Sequence, residues 1–139
     1  MENEGKIIGL GGIFLKFKDP KKMNEWYREV LGLESNDYGV LFAYNALVAQ
    51  RAFLQLGTFD LESSYFGEQK QLAMLNFRVQ NLDDFLLRLK SYNVQVLDEV
   101  ESYEYGRFVH ISDPEGNRIE LWEPVDQIFE KTEGFMDMY

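Results

Sequence analysis

The fold is decided by the stretch DPEGNRIELWEP at residues 113–124. Its first five residues have the chemistry of a tight turn, because proline presets one φ angle and glycine takes positive φ without strain. Two strand-like runs, 106–112 and 118–123, lie on either side of this turn. The stretch therefore predicts a hairpin, with His110 and Glu120 close to each other across it.

Upstream of the hairpin, the second half of the chain begins with a predicted strand over 71–79. Asn81 is a helix N-cap candidate, and the amphipathic pattern after it predicts a helix to about Tyr92. A third strand-like run covers 94–100. This half therefore has the order β-α-β-β-β.

The first half has the same order. A predicted strand over 7–17 leads to the N-cap candidate Asp19 and to Pro20 at the first helical position, and Gly32 ends the helix. Three short strand-like runs follow, and they lie around Leu33, over 38–44 and over 49–56.

An internal repeat connects the two halves. A shift of 62 residues places the first predicted strand, 7–17, on 69–79, which contains the predicted strand over 71–79, and it places Asp19 on Asn81. Neither module covers its own sheet, so we expect the two sheets to pair and to enclose a cleft. The predicted organisation is one domain over 1–139, with module one at about 7–57, a linker at 58–70, module two at about 71–124 and a tail at 125–139.

Composition narrows the possible partners and sites. The chain has 139 residues with 45% hydrophobic and 15% aromatic residues, and 14 Lys and Arg against 24 Asp and Glu give a net charge of −10. This charge opposes binding to nucleic acid or to an anionic membrane. Cysteine is absent, and no apolar run approaches the roughly 18 residues of a membrane span. We expect a cytoplasmic protein.

The paired modules, the 113–117 turn and Glu120 resemble the vicinal oxygen chelate superfamily, also called the glyoxalase, bleomycin-resistance and dioxygenase superfamily. The segments 18–20, 26–27 and 31–33 contribute to this resemblance, which covers about 7–124. It implies an α+β fold in which a curved sheet surrounds a cleft. It also implies a homodimer, which open sheet edges independently favour.

The same resemblance gives four positions for metal ligands, usually two His and two carboxylates. Here they are Gly12, Met74, Gln55 and Glu120, of which only Glu120 matches. The chain has a single His, so a site with two His ligands within one subunit is impossible. We therefore expect no metal and no cofactor, and the alternative is a divergent site built from Gln55, Asn76, His110 and Glu120.

Strand alternation predicts which side chains face the cleft. Among them, Lys16 and Arg78 are related by the repeat and suit an anionic or carbonyl-bearing ligand. Alternatively, both pair with acidic neighbours such as Glu120 or Asp19. The predicted ligand-binding residues are Phe14, Lys16, Phe53, Gln55, Asn76, Arg78, Phe108 and Trp122.

His110 and Glu120 form a candidate acid–base pair, in which the carboxylate orients the imidazole and raises its pKa. Alternatively, His110 only lines the cleft and Glu120 pairs with Arg118 or Lys16. The loop at 103–106 and the linker residues Tyr65 and Phe66 are candidates to cover the cleft.

Three functions fit these features. The first is a metal-independent small-molecule binding protein with an aromatic or anionic ligand in the cleft. The second is a lyase or isomerase that uses Glu120 and His110. The third is an interaction module that relies on the tail at 129–139.

Overall fold

A computed structural model of the chain describes residues 3–47, 50–67, 70–130 and 134–138. Module one contains β1 (Lys6–Phe17), α1 (Pro20–Glu29), β2 (Ser35–Asn36), β3 (Gly39–Leu47) and β4 (Gln50–Asp60). After a 3₁₀ turn (Ser64–Phe66), module two contains β5 (Ala73–Gln80), α2 (Leu82–Ser91), β6 (Glu101–Tyr103), β7 (Gly106–Ser112) and β8 (Arg118–Pro124). The tail contains α3 (Gln127–Glu130) and β9 (Phe135–Asp137).

All of these strands belong to one open, curved sheet. The strand order is β2-β3-β4-β1-β5-β8-β7-β6, and β9 adds to β3. Each module has a parallel pair at its centre, β1 with β4 and β5 with β8, and the antiparallel pair β1–β5 joins the modules. This topology confirms the predicted α+β fold of two modules.

Both helices begin at the residues that the sequence indicates. The carboxylate of Asp19 accepts a hydrogen bond from the backbone N–H of Lys22, and the side chain of Asn81 accepts one from Asp84. Asp83 and Asp84 add favourable negative charge at the start of α2. α1 ends at Glu29, and Gly32 follows in a left-handed conformation with φ of +70°.

The helices differ in how they cover the outer face of the sheet. Beneath α2, five residues form a buried apolar core, namely Val79, Leu82, Phe85, Val109 and Leu121. On α1 the buried residue is the polar Asn24, whose side-chain oxygen accepts a hydrogen bond from the Thr58 hydroxyl. Trp26 remains 46% exposed and Val30 60% exposed, so these apolar side chains of α1 are only partly covered.

The predicted strand over 94–100 is wrong. This segment makes a single bridge between Val96 and Ile111, and regular pairing with β7 resumes only at β6. The reason is that a carboxylate oxygen of Asp98 accepts the hydrogen bond from the backbone N–H of His110, at 2.7 Å. A side chain thus takes the place of a backbone acceptor.

Smaller corrections concern module one and the linker. The run around Leu33 forms its short strand two residues later, at Ser35–Asn36, and the strand from 38 begins at Gly39. β4 begins at Gln50, next to residues outside the described ranges, and continues to Asp60 within the predicted linker. Of the linker, residues 68 and 69 also lie outside the described ranges.

The C-terminal segment lies on the inner, cleft-facing side of module one. Phe129 and Phe135 pack against a buried cluster of Leu41, Ala43 and Phe53. β9 runs parallel to β3 and pairs with residues 41–43 of that strand. Within the described residues, no helix is long and apolar enough to cross a membrane.

Candidate functional site

One row of paired residues crosses the middle of the sheet and carries the candidate site. Gly12 of β1 pairs with Gln55 on one side and with Asn76 on the other. Asn76 pairs with Glu120, and Glu120 pairs with His110. Because side chains alternate along strands, this register brings residues from both modules to the same face.

Glu120 lies at the centre of a hydrogen-bond network and is 1% exposed. Its Oε1 accepts a hydrogen bond from Asn76 Nδ2 at 2.6 Å. Its Oε2 faces His110 Nε2 at 2.8 Å and also accepts a short hydrogen bond from the Tyr65 hydroxyl. Three side chains therefore satisfy a carboxylate that would otherwise be very costly to bury.

His110 lies between two carboxylates. Its Nδ1 is 2.7 Å from Asp98 Oδ2, while Nε2 faces Glu120, and Arg118 supports Asp98 from 3.3 Å. Burial lowers the pKa of His110, but the hydrogen bonds and negative charges of Glu120 and Asp98 raise it by more. The two carboxylates thus favour the charged imidazole, in which both ring N–H groups donate.

Tyr65 covers this network from the linker. Its ring stacks on Phe59 at 5.7 Å between centroids and meets the His110 ring edge-on at 5.3 Å. Burial of the hydroxyl, together with the charge and hydrogen bond of Glu120, raises the pKa of Tyr65 well above its ordinary value. The phenol therefore remains a donor, while 40% of the residue is exposed to solvent.

The predicted ligand-binding residue Arg78 lies at the other end of the cleft, where it is 4% exposed. Its guanidinium forms a two-pronged ion pair with Asp126, with N–O distances of 2.8 and 2.5 Å. A further hydrogen bond reaches the Phe53 carbonyl at 3.3 Å, and the group lies 5.5 Å from the Trp122 ring centroid. Its acidic neighbour is thus Asp126, and neither Glu120 nor Asp19.

Aromatic rings fill the space next to this ion pair. Phe129 of the tail lies between Phe53, at 5.2 Å, and Trp122, at 5.7 Å. Phe108 stacks on the Trp122 ring at 5.9 Å between centroids. Three predicted cleft residues therefore line one aromatic cluster, and a ring from the chain's own tail occupies its centre.

Lys16 and Gln55 are further predicted site residues that do not join the Glu120 network. Lys16 places its ammonium 4.8 Å from the ring centroid of Phe66. The Gln55 amide donates to backbone carbonyls, at 3.2 Å to Tyr38 and 3.4 Å to Leu56. Neither Lys16 nor Arg118 pairs with Glu120 in the part of the chain that the structure describes.

The donor set does not fit the usual metal site of the superfamily. Gly12 offers no ligand, and a Cβ atom there would be 2.6 Å from the ring of Phe14, which covers this position. Asn76 and His110 already donate to Glu120 through their nitrogen atoms. Among the described residues, no group of three or more His, Cys, Asp or Glu is arranged to hold a metal ion.

Sequence reasoning missed two residues that shape the site, Asp98 and Asp126. Asp98 and its neighbour Glu99 interrupt the mostly apolar run before β7, and this acidic pair was the available signal. Asp126 lies in the tail, and nothing local indicates that it reaches Arg78, 48 residues earlier.

A family model described as the Glyoxalase/Bleomycin resistance protein/Dioxygenase superfamily matches residues 9–121. The chain belongs to this superfamily. The match confirms the predicted resemblance and covers both modules, including the row that carries Glu120. No curated protein matches the chain.

Solved structures share the fold. Methylmalonyl-CoA epimerase from Mycobacterium tuberculosis is 24% identical with a TM-score of 0.57, and the match covers 89% of this chain and 93% of that one. A single-residue variant of the Streptomyces coelicolor epimerase, solved with 2-nitronate-propionyl-CoA, is 17% identical with a TM-score of 0.62 and coverages of 86% and 99%. A Vibrio splendidus superfamily member is 16% identical with a TM-score of 0.51 and coverages of 82% and 98%.

The raised pKa of His110 predicts a pH dependence. Because the folded protein holds this proton more tightly than the unfolded chain, its stabilising contribution is complete below the ordinary histidine pKa of about 6.5 and is lost as pH rises through the higher folded value. His110 is the only histidine, so a single imidazole signal in an NMR titration gives the value directly. We expect a midpoint above 6.5 that Asp98→Asn lowers, whereas a midpoint at or below 6.5 would contradict the network.

Proposed function

We propose that this protein binds a small aromatic molecule in the cleft, next to Glu120, without a metal ion. The observation that carries the proposal is the contact of the Tyr65 phenol with the buried Glu120 carboxylate. Tyr65 comes from a short 3₁₀ turn and is partly exposed, so a rotation of its side chain opens the site to solvent.

Tyr65 occupies the position that a ligand would take. An aromatic ring in its place would stack on Phe59 and contact the edge of His110, as the tyrosine ring does. A hydroxyl group on that ring would donate to Glu120, whose other hydrogen bonds come from Asn76 and His110. The site therefore suits a phenol-like ligand, and this choice agrees with the aromatic ligand predicted from the sequence.

Two further expectations belong to this proposal. The chain forms a homodimer in this proposal, which the open sheet edges at β2 and β6 support, and it is located in the cytoplasm. The net charge of −10 supports a small molecule as partner and opposes nucleic acid.

Phenol tests the proposal directly. We expect Tyr65→Ala to bind phenol about tenfold or more tightly than the unmodified protein, because it removes a competing hydrogen bond to a charged group worth about 1.5–3 kcal/mol. Glu120→Gln should weaken binding to the Tyr65→Ala protein, since the acceptor loses its charge. Isothermal titration calorimetry measures both effects.

Tyr92→Ala is the matched control, because it removes a 66% exposed tyrosine at the end of α2. It should bind phenol as the unmodified protein does. The proposed site would be refuted if no variant bound phenol. It would also be refuted if Glu120→Gln left the affinity for phenol unchanged.

A second candidate function is an isomerase, and the Asp98–His110–Glu120 chain favours it. Two hydrogen bonds, of 2.7 and 2.8 Å, connect these groups in series. In such an enzyme, the Glu120 carboxylate would take a proton from a substrate carbon and become the neutral acid. It would return the proton after the resulting enolate has turned its other face towards Glu120, while Asp98 and His110 keep the Glu120 side chain in position. Similar solved structures include methylmalonyl-CoA epimerases by name.

Proton exchange tests this second candidate. If it is correct, methylmalonyl-CoA incubated with the protein in D₂O gains deuterium at its α-carbon, and Glu120→Gln abolishes the gain. Glu99→Gln, an exposed neighbour of Asp98, should leave the rate unchanged. Mass spectrometry detects the label, and no incorporation above the protein-free rate would contradict isomerase activity on this substrate.

A further inference from the structure

The C-terminal segment places a carboxylate and an aromatic ring together inside the cleft. β8 ends at Pro124, and α3 begins three residues later at Gln127. Asp126 and Phe129 are three residues apart, so they project from the same side of the short helical turn. Asp126 reaches Arg78, while Phe129 inserts between Phe53 and Trp122.

The group of residues that receives Asp126 and Phe129, namely Arg78, Phe53 and Trp122, is called the Arg78 corner below. It has the properties of a carboxylate-binding site. Arg78 is held by the Phe53 carbonyl and lies against the Trp122 ring, so its fork is fixed in direction. Its two terminal nitrogens meet the two oxygens of one carboxylate. An unpaired guanidinium at 4% exposure would strongly destabilise the fold, and the chain's own tail supplies the required anion.

Beyond Phe129, the C-terminal end of the tail is joined to the sheet by a short strand with a surface ion pair. β9 consists of three residues paired to β3, and its ion pair of Asp137 with Arg51 leaves 38% and 30% of these side chains exposed. Exposed ion pairs contribute little to stability. A molecule that supplies its own carboxylate and ring can therefore compete with the tail, because it restores the contacts of Arg78 as they break.

We propose that the Arg78 corner is a ligand subsite for an aromatic carboxylate, and that Asp126 and Phe129 occupy it as an internal competitor. The proposal rests on the proposed function in taking the cleft as the binding region, and it deepens that function by naming the ligand's charge. It also assigns the tail a role in affinity, because ligand binding and tail docking exclude each other at this corner.

The test uses 3-phenylpropanoate and its uncharged amide, 3-phenylpropanamide, with the full-length chain. Trp122 fluorescence measures binding in a Trp26→Phe background, since these are the two tryptophans. We expect Phe129→Ala and Asp126→Asn each to bind the carboxylate at least tenfold more tightly than the parent chain, and to bind the amide much more weakly. Should Asp126→Asn fail to fold with Arg78 unpaired, Phe129→Ala keeps the test valid because it retains that ion pair.

Asp83→Asn is the matched control, because it removes the carboxylate of another Arg ion pair, on the exposed start of α2. It should leave the affinity unchanged. Equal affinities in the parent chain and in both tail variants, or equal binding of the carboxylate and the amide, would overturn the proposal. No binding of the carboxylate to the folded Phe129→Ala chain would do the same.

The two proposals fail in different ways. If phenol still binds at Glu120 while the tail variants do not alter 3-phenylpropanoate binding, the inference about Arg78 is wrong and the proposed function stands. If phenol does not bind, but the affinity for 3-phenylpropanoate rises in the tail variants as expected, the Arg78 subsite stands and the site at Glu120 is refuted.

Discussion

The burial of the Glu120 carboxylate is the constraint on which the rest of the site depends. A charge at 1% exposure must receive hydrogen bonds from its surroundings, and Asn76, His110 and Tyr65 provide them. The Asn76 amide is thereby fixed with its oxygen towards β1. Glycine is needed at Gly11, where a Cβ atom would lie 2.3 Å from that oxygen.

The same carboxylate explains the irregular part of module two. Glu120 and Asp98 both contact the His110 ring and raise its pKa, and the other oxygen of Asp98 accepts the backbone hydrogen bond of His110. A regular strand over 94–100 would remove this acceptor from the site. The interrupted edge of the sheet is thus a consequence of how the histidine is oriented.

An aromatic side chain fills each end of the cleft. Neither comes from a strand of the two modules or from helices α1 and α2. Tyr65 comes from the connection between the modules, and Phe129 comes from the tail. Tyr65 also donates a hydrogen bond to the buried Glu120 carboxylate. Phe129 follows Asp126, whose carboxylate pairs with the buried Arg78 guanidinium. This arrangement keeps the charges paired in the free protein, so a ligand's affinity depends on how well it replaces those contacts.

Much of the fold could be predicted from the sequence, because alternation and capping are local. The repeat placed Asn76 and Arg78 on the inner face, and the hairpin turn brought His110 opposite Glu120. The partners of Arg78 and His110 could not be predicted in this way. Asp126 and Asp98 reach them through loop and tail conformations that tertiary packing decides.

In the proposed function, the Tyr65 side chain covers Glu120 and rotates away from it when an aromatic ligand binds. ¹⁹F NMR of protein labelled with 3-fluorotyrosine tests it most directly, with the Tyr65 signal assigned from the Tyr65→Phe variant. On titration with phenol, the account predicts that the Tyr65 signal moves towards that of an exposed tyrosine while the Tyr92 signal stays in place. Saturable phenol binding that leaves the Tyr65 signal unchanged would contradict the account.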